Sequence, residues 1–194
     1  MTMTSGSLYE FAFRGFLAEA ALDKAGRIRR QIPEEFDPEL ARRLGIELLD
    51  EEAVQATRAM AVVYAAIAAF EVSARKLVAA VLLEAVGEKW WEQGVSENIR
   101  RRAESRRTEE QKVKWHGQRG DSLLDYTDLG DLAKMIRNNW QHFEPHLRSL
   151  EWASAILDVV ERSRNVIMHS SPLSREDIER VGINIRDWVK QVGG

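Results

Sequence analysis

The chain contains no cysteine. Disulfides and thiolate metal sites are therefore excluded, and a reducing compartment fits without being required. Neither charge dominates, with a formal net charge of −3 over 194 residues. That balance argues against a protein that coats nucleic acid, which is usually basic, but leaves room for one local patch that meets RNA. No apolar run is long enough for a membrane: the richest, Ala59 to Ala69, is followed by Glu71 and Arg75 and is too short to span a bilayer. The first residues, MTMTSGSLYE, lack a basic region followed by an apolar one. No signal peptide is expected, and the cytoplasm is the default location. Alternation of period two, the mark of a half-buried strand, is missing throughout, and so is any internal repeat. Two glycines flank Gln118-Arg119 in the stretch 117–125, but the order and the Lys-Ser/Thr of a P-loop are not there.

What remains is a composition of 44% hydrophobic and 30% charged residues, which suits a soluble globular fold with a substantial core. Each of the four prolines falls at an expected helix boundary. Ser7 can cap a first helix running to about Arg30, and Pro33 ends that segment. Asp37-Pro38 reads as a cap followed by proline at the first helical position, with Gly45 at the far end. From about Asp50 to Ala85 a long helix carries a stripe of Met60, Val63, Tyr64, Ile67, Phe70, Ala74, Leu77, Val78, Val81 and Leu82, closed by Gly87. Glu71 falls on that stripe, where a carboxylate is costly unless paired. It pairs with Arg75 one turn on, or lies at a stripe edge that stays wet, or meets Arg164 or His169 and holds it in place. Trp90-Trp91 read as a turn, one ring in the core and one half-exposed.

Ser96 can cap a helix through about His116 that bears Arg100, Arg101, Arg102, Arg106 and Arg107, the most basic patch in the chain. Such a run is either a solvated helix face or an electrostatic footprint for a phosphate backbone. Thr127 to Asn138 forms a further helix. His142 and His146 have metal-ligand spacing, but Pro145 interrupts them and no HExxH pattern occurs, so no metal or other cofactor is expected. Ser174-x-x-Asp177 approximates a capping box before a final helix with Ile178, Val181, Ile185, Trp188, Val189 and Val192 on one face. The fold class is all α, an antiparallel helical bundle over residues 47–194 with an N-terminal helical appendage over 1–46.

The stretch Trp152 to Pro172, WASAILDVVERSRNVIMHSSP, stands out. Apolar residues at 152, 155, 156, 159, 160, 166 and 167, with a small Ser163, give one core-facing stripe. The stripe ends in Arg164, Asn165 and His169, with Pro172 as the stop. Asn165 and His169 stack one turn apart, where an amide can orient an imidazole. Arg164 lies roughly 140° around the helix from His169, within reach of the same groove or of a second copy of the helix. Taken alone, the pair also suits a surface arginine and a C-terminal histidine favoured by the helix dipole.

Arg164-Asn165-Val166-Ile167-Met168-His169 resembles the Arg-x4-His motif of the HEPN superfamily. Asp125-Tyr126-Thr127-Asp128-Leu129-Gly130-Asp131-Leu132, Trp140, Phe143, Phe70-Glu71, Arg75-Lys76-Leu77 and Trp90-Trp91 resemble the HEPN subfamily that accompanies PIN-type ribonucleases. The likeness covers roughly residues 50–190. It implies a helical bundle of HEPN type and a metal-independent endoribonuclease in which Arg164, His169 and Asn165 act, supported by Glu71. The chemistry agrees with the residue types. Histidine suits removing the 2′-hydroxyl proton or protonating the leaving 5′-oxygen, and arginine suits the charged phosphorane. One of each is a thin supply, and the resemblance implies a homodimer that brings two copies of the motif into one cleft. The expected products carry 2′,3′-cyclic phosphate and 5′-hydroxyl ends. The expected context is defence, toxin–antitoxin pairing or RNA processing, with an RNA substrate and an inhibitor or antitoxin protein as partners. Silencing by nucleotidylation of a tyrosine two residues after the histidine is not expected, since that position is Ser171. The competing expectation is a catalytically silent HEPN module that dimerises or binds RNA or protein.

Overall fold

The structure, a computed structural model, describes residues 37–192, and every regular element among them is helical. The chain divides into two compact units, Met1–Ala56 and Thr57–Gly194. The expected helix from Ser7 to Arg30 and the break at Pro33 lie outside the described residues. The boundary expected at residues 46 and 47 falls in the 3-10 turn Ile46–Leu48 of the first unit. In that unit, helix α1 (Pro38–Arg43) begins as its sequence suggests. Asp37 Oδ1 accepts hydrogen bonds from the N–H groups of Glu39 and Leu40 at 2.9 and 3.1 Å, and Pro38 occupies the first turn. A cap of this kind contributes about 1 kcal/mol. Gly45 adopts φ +64°, which turns the chain out of the helix without a Cβ penalty.

Helix α2 (Glu51–Val86) runs from the first unit into the second and ends at Gly87, φ +82°. Met60, Val63, Ile67, Phe70, Ala74, Val78, Val81 and Leu82 form its buried stripe, while Tyr64 lies exposed at the edge. Helix α3 (Trp90–Gly94) replaces the expected turn. Its two tryptophans are both half-buried and meet edge-on with centroids 5.6 Å apart, so neither is a core residue and the expected division between them does not occur. Helix α4 (Glu97–Gln111) stops five residues short of His116. Only Ile99 and Ala103 are buried on it, so nothing apolar anchors a longer helix to the core. Ser96 stands at its N-cap position but makes no side-chain cap bond.

A 3-10 turn, Leu123–Tyr126, leads into helices α5 (Leu129–Asn138), α6 (Trp140–Phe143), α7 (Leu150–Met168) and α8 (Arg175–Val192). Helix α7 packs against both α5 and α8. Trp188 of α8 is fully buried, stacks on Trp152 of α7 at 5.8 Å and meets Phe70 of α2 edge-on at 5.4 Å. Aromatic pairs in these geometries contribute about 0.5–1.5 kcal/mol beyond their area burial. The α7 stripe is rotated from the expected one. Ala153 and Leu157 are buried, Ala155 and Val166 are exposed, and the shared positions are Ile156, Val160 and Ser163. A stripe read from apolar letters alone counts every small or branched residue, and this helix has them on two sides. Val189 of α8, expected on the apolar face, is exposed for the same reason.

Helix α7 is ended by Ser170 and not by Pro172. Ser170 takes φ 58°, its N–H bonds to the Ile167 carbonyl at 2.9 Å, and the Ser171 N–H reaches back to the Val166 carbonyl at 3.2 Å. This is a Schellman closure, normally built around glycine. It places His169 at the C-cap, exposed, with its backbone and not its ring tied to the last turn.

Candidate active site

The start of α5 explains why Asp128-Leu129-Gly130-Asp131 is written as it is. Asp128 Oδ1 accepts the Asp131 N–H at 2.8 Å, and Asp131 Oδ2 accepts the Asp128 N–H at 3.4 Å, a reciprocal capping box. The two carboxylates also take arginines from α4. Arg102 pairs with Asp131, and Arg106 bonds Asp128 Oδ2 at 2.9 Å, Asp131 Oδ2 at 3.4 Å and the Tyr126 carbonyl at 2.7 Å. Burial alone would raise the Asp128 carboxyl, but the Asp131 N–H and Arg106 outweigh it and hold it below its ordinary range. Asp131 goes the other way. Its burial and the neighbouring Asp128 charge push it up, and Arg102 and Arg106 offset only part of that. A Cβ at Gly130 would meet only the carboxylate end of Glu161 from α7, at 3.1 Å. The Glu161 carboxyl is pushed up by burial and by Asp128, against a hydrogen bond from the Gly130 N–H.

Beside this box opens a polar cleft of about 430 Å³ lined by Glu71, Arg75, Arg106, Arg119, Asp125, Thr127, Asp128 and Arg164. Glu71 is its anchor. One oxygen pairs with Arg75 and the other lies 3.5 Å from Nε of Arg164, so both readings of Glu71 that involve an arginine hold at once. Arg75 in turn donates to the Thr127 carbonyl at 2.8 Å. Arg164 differs from its neighbours. It is held only through Nε, and among the described residues its two terminal nitrogens make no hydrogen bond. Four arginines and three carboxylates line the cleft, and Arg106 and Arg119 are paired to carboxylates at its edge. A guanidinium fixed by one edge with its fork open is arranged to meet an oxyanion.

The other expected site residues are distributed differently. His169 and Asn165 are exposed on the last turn of α7 and do not line the cleft, and among the described residues no side-chain bond joins them. The five arginines of α4 do not form one open patch. Arg102 and Arg106 turn inward to Asp131 and Asp128, Arg100 donates to the Val95 carbonyl at 3.2 Å, and Arg107 pairs with Glu104 at 3.3 Å. Only Arg101 is exposed without such a partner among the described residues. Helical sequences scatter side chains every 100°, so five arginines in eight positions necessarily face several ways. Arg119, Asp125, Thr127 and Asp128 were not foreseen as cleft residues. The D-x-x-D spacing of the capping box was the available signal. No group of three or more His, Cys, Asp or Glu side chains among the described residues is placed to hold a metal. No helix among them is long and apolar enough to cross a membrane.

Residues 66–193 match the family of Swt1-like HEPN domains. The chain belongs to that family. The HEPN match spans α2 from its middle onward and every later helix, so it includes Glu71, the capping box, Arg164 and His169. The all-helical architecture is that of a HEPN bundle, and HEPN domains are often associated with ribonucleases. No curated protein and no solved structure matches the chain.

Proposed function

We propose that the protein is a metal-independent endoribonuclease whose Arg164 and His169 act together in a homodimer. The observation that carries the reading is the state of Arg164. Glu71 fixes it by Nε at the edge of an arginine-rich cleft, while its terminal nitrogens stay open among the described residues. In this reading the fork of Arg164 binds the non-bridging oxygens of the scissile phosphate and stabilises the charge that grows as the 2′-oxygen attacks. His169, exposed at the C-cap of the same helix, exchanges protons with the 2′-hydroxyl or the leaving 5′-oxygen. Two proton transfers need two histidines, which a two-fold pairing of α7 ends would supply. Asn165, one turn before His169, orients the imidazole once the two copies meet. The chemistry consumes no water in the first step and leaves 2′,3′-cyclic phosphate and 5′-hydroxyl ends. A defence, toxin–antitoxin or RNA-processing setting, in the cytoplasm and with a restraining inhibitor protein, follows from the danger of such an activity.

A test compares purified wild type with Arg164→Ala and His169→Ala on total cellular RNA in the presence of EDTA. Each variant is expected to lose about 10²-fold or more in cleavage, the scale of removing one oxyanion donor or one general acid–base. Cleavage that persists in both variants would refute the assignment. A silent binding module is the second reading, favoured by the absence of His169 from the residues that line the cleft, and an inactive wild type that still binds RNA would establish it.

A further inference from the structure

The loop after α4 carries a second feature. Trp115 is 86% exposed, the most solvent-facing large apolar side chain among the described residues. A bare indole offers a wide, flat face on which an unpaired base can stack. Lys114 precedes it and carries no partner among the described residues. His116 follows, packed edge-on against the indole with centroids 5.7 Å apart, its Nδ1 2.8 Å from the Gly117 carbonyl. His116 also lines a cavity of about 520 Å³, together with Glu110, Val113, Gly117, Gln118 and Arg119.

Arg119 joins this cavity to the cleft of Arg164, since it lines both. It is braced on each side. Glu110 Oε1 holds its Nε at 2.5 Å, and its guanidinium lies 5.9 Å from the centre of the Tyr126 ring. The Tyr126 phenol is pushed up by burial and by Glu110, so the ring stays neutral beneath the arginine. Arg119 therefore stands between the cleft that holds Arg164 and a largely apolar cavity whose lining includes His116, the neighbour of the exposed indole.

We infer that the loop 112–120 seats an unpaired nucleoside of single-stranded RNA next to the phosphate that meets Arg164, with the base stacked on Trp115. The inference deepens the ribonuclease reading and rests on it for the identity of the phosphate site. Stacking needs a free base face, which a duplex does not offer, so the loop selects single strands or loops over paired RNA. Lys114 supplies a contact to the backbone of the seated nucleotide, and Gln118 and His116 offer polar groups to its base edge.

The experiment measures affinity of the full chain for a labelled single-stranded oligoribonucleotide and for the same sequence annealed to its complement. EDTA is present and His169→Ala is the background, so the probe survives. Trp115→Ala is expected to weaken single-strand binding about tenfold, within the range for loss of one stacked base, to leave duplex binding unchanged, and to be largely rescued by Trp115→Phe. Because Trp115 is exposed, the variant keeps the wild-type melting temperature. Unchanged single-strand affinity in Trp115→Ala, or equal losses for single strand and duplex, would overturn the inference and leave the loop as a protein-docking element. The ribonuclease reading falls separately. If Trp115→Ala loses single-strand binding while wild type cleaves no RNA, the seat stands and the catalysis does not.

Discussion

Replacing Glu71 by glutamine removes one charge from the centre of the cleft while keeping its shape. The Glu71 side chain is 12% exposed, its partners Arg75 and Arg164 18% and 34%. A fully buried pair broken in this way costs about 3–5 kcal/mol, and an exposed one about 0–1 kcal/mol. The partial exposure of both arginines and the 3.5 Å separation from Arg164 put Glu71→Gln between these limits, at about 1–2 kcal/mol. At about 2–4 °C per kcal/mol for a chain of this size, the melting temperature falls by about 2–8 °C. Calorimetry or denaturant titration reads the change. Double-mutant cycles then divide it, with Glu71 coupled more strongly to Arg75 than to Arg164 because only the former pair is in hydrogen-bond contact. On the ribonuclease proposal cleavage drops as well, since a neutral amide holds Arg164 more weakly than the carboxylate does. A variant that melts with wild type and shows no coupling to either arginine would refute the bridging role of Glu71.

Ser170 stands in the left-handed region at φ 58°, so Ser170→Gly is expected to stabilise by up to about 1 kcal/mol, whereas Ser170→Val destabilises; thermal melts decide. Asn139 is buried and donates to the Gly94 and Met135 carbonyls, each at 2.8 Å, so Asn139→Ala costs about 1–3 kcal/mol in denaturant titration; a loss under 0.5 kcal/mol contradicts that. Glu161 binds its proton more tightly in the folded chain than in the unfolded one. Wild type therefore loses stability as pH rises from the ordinary glutamate range through the raised folded value, and Glu161→Gln removes that loss. Stability curves of the two that stay parallel from pH 4 to 7 would show that the carboxyl is not perturbed.

The helical class, the α2 stripe, the Asp37-Pro38 start and the Gly87 stop were legible because each is a local signal: spacing, a cap, or a glycine where φ must be positive. The pairing of Glu71 with arginine was legible in kind, since a carboxylate on an apolar stripe requires a cation. Which cations was a tertiary question, and the structure answers with two. The end of α7 was misread because serine carries the left-handed residue that glycine usually takes, so the nearest proline stood out instead. The fate of the α4 arginines was hidden because Asp128 and Asp131, which turn two of them inward, are more than twenty residues away in the chain. Arg119 and Trp115 sit in a loop with no periodicity to read, and only the fold shows that the former reaches the Arg164 cleft.

The most direct test of the central claim is the chemistry of the RNA ends. A defined single-stranded RNA incubated with wild-type protein in EDTA should yield 2′,3′-cyclic phosphate and 5′-hydroxyl termini, and Arg164→Ala should yield neither. Cleavage to 5′-phosphate termini, or cleavage abolished by the chelator, would contradict a metal-free attack by the 2′-hydroxyl through Arg164 and His169.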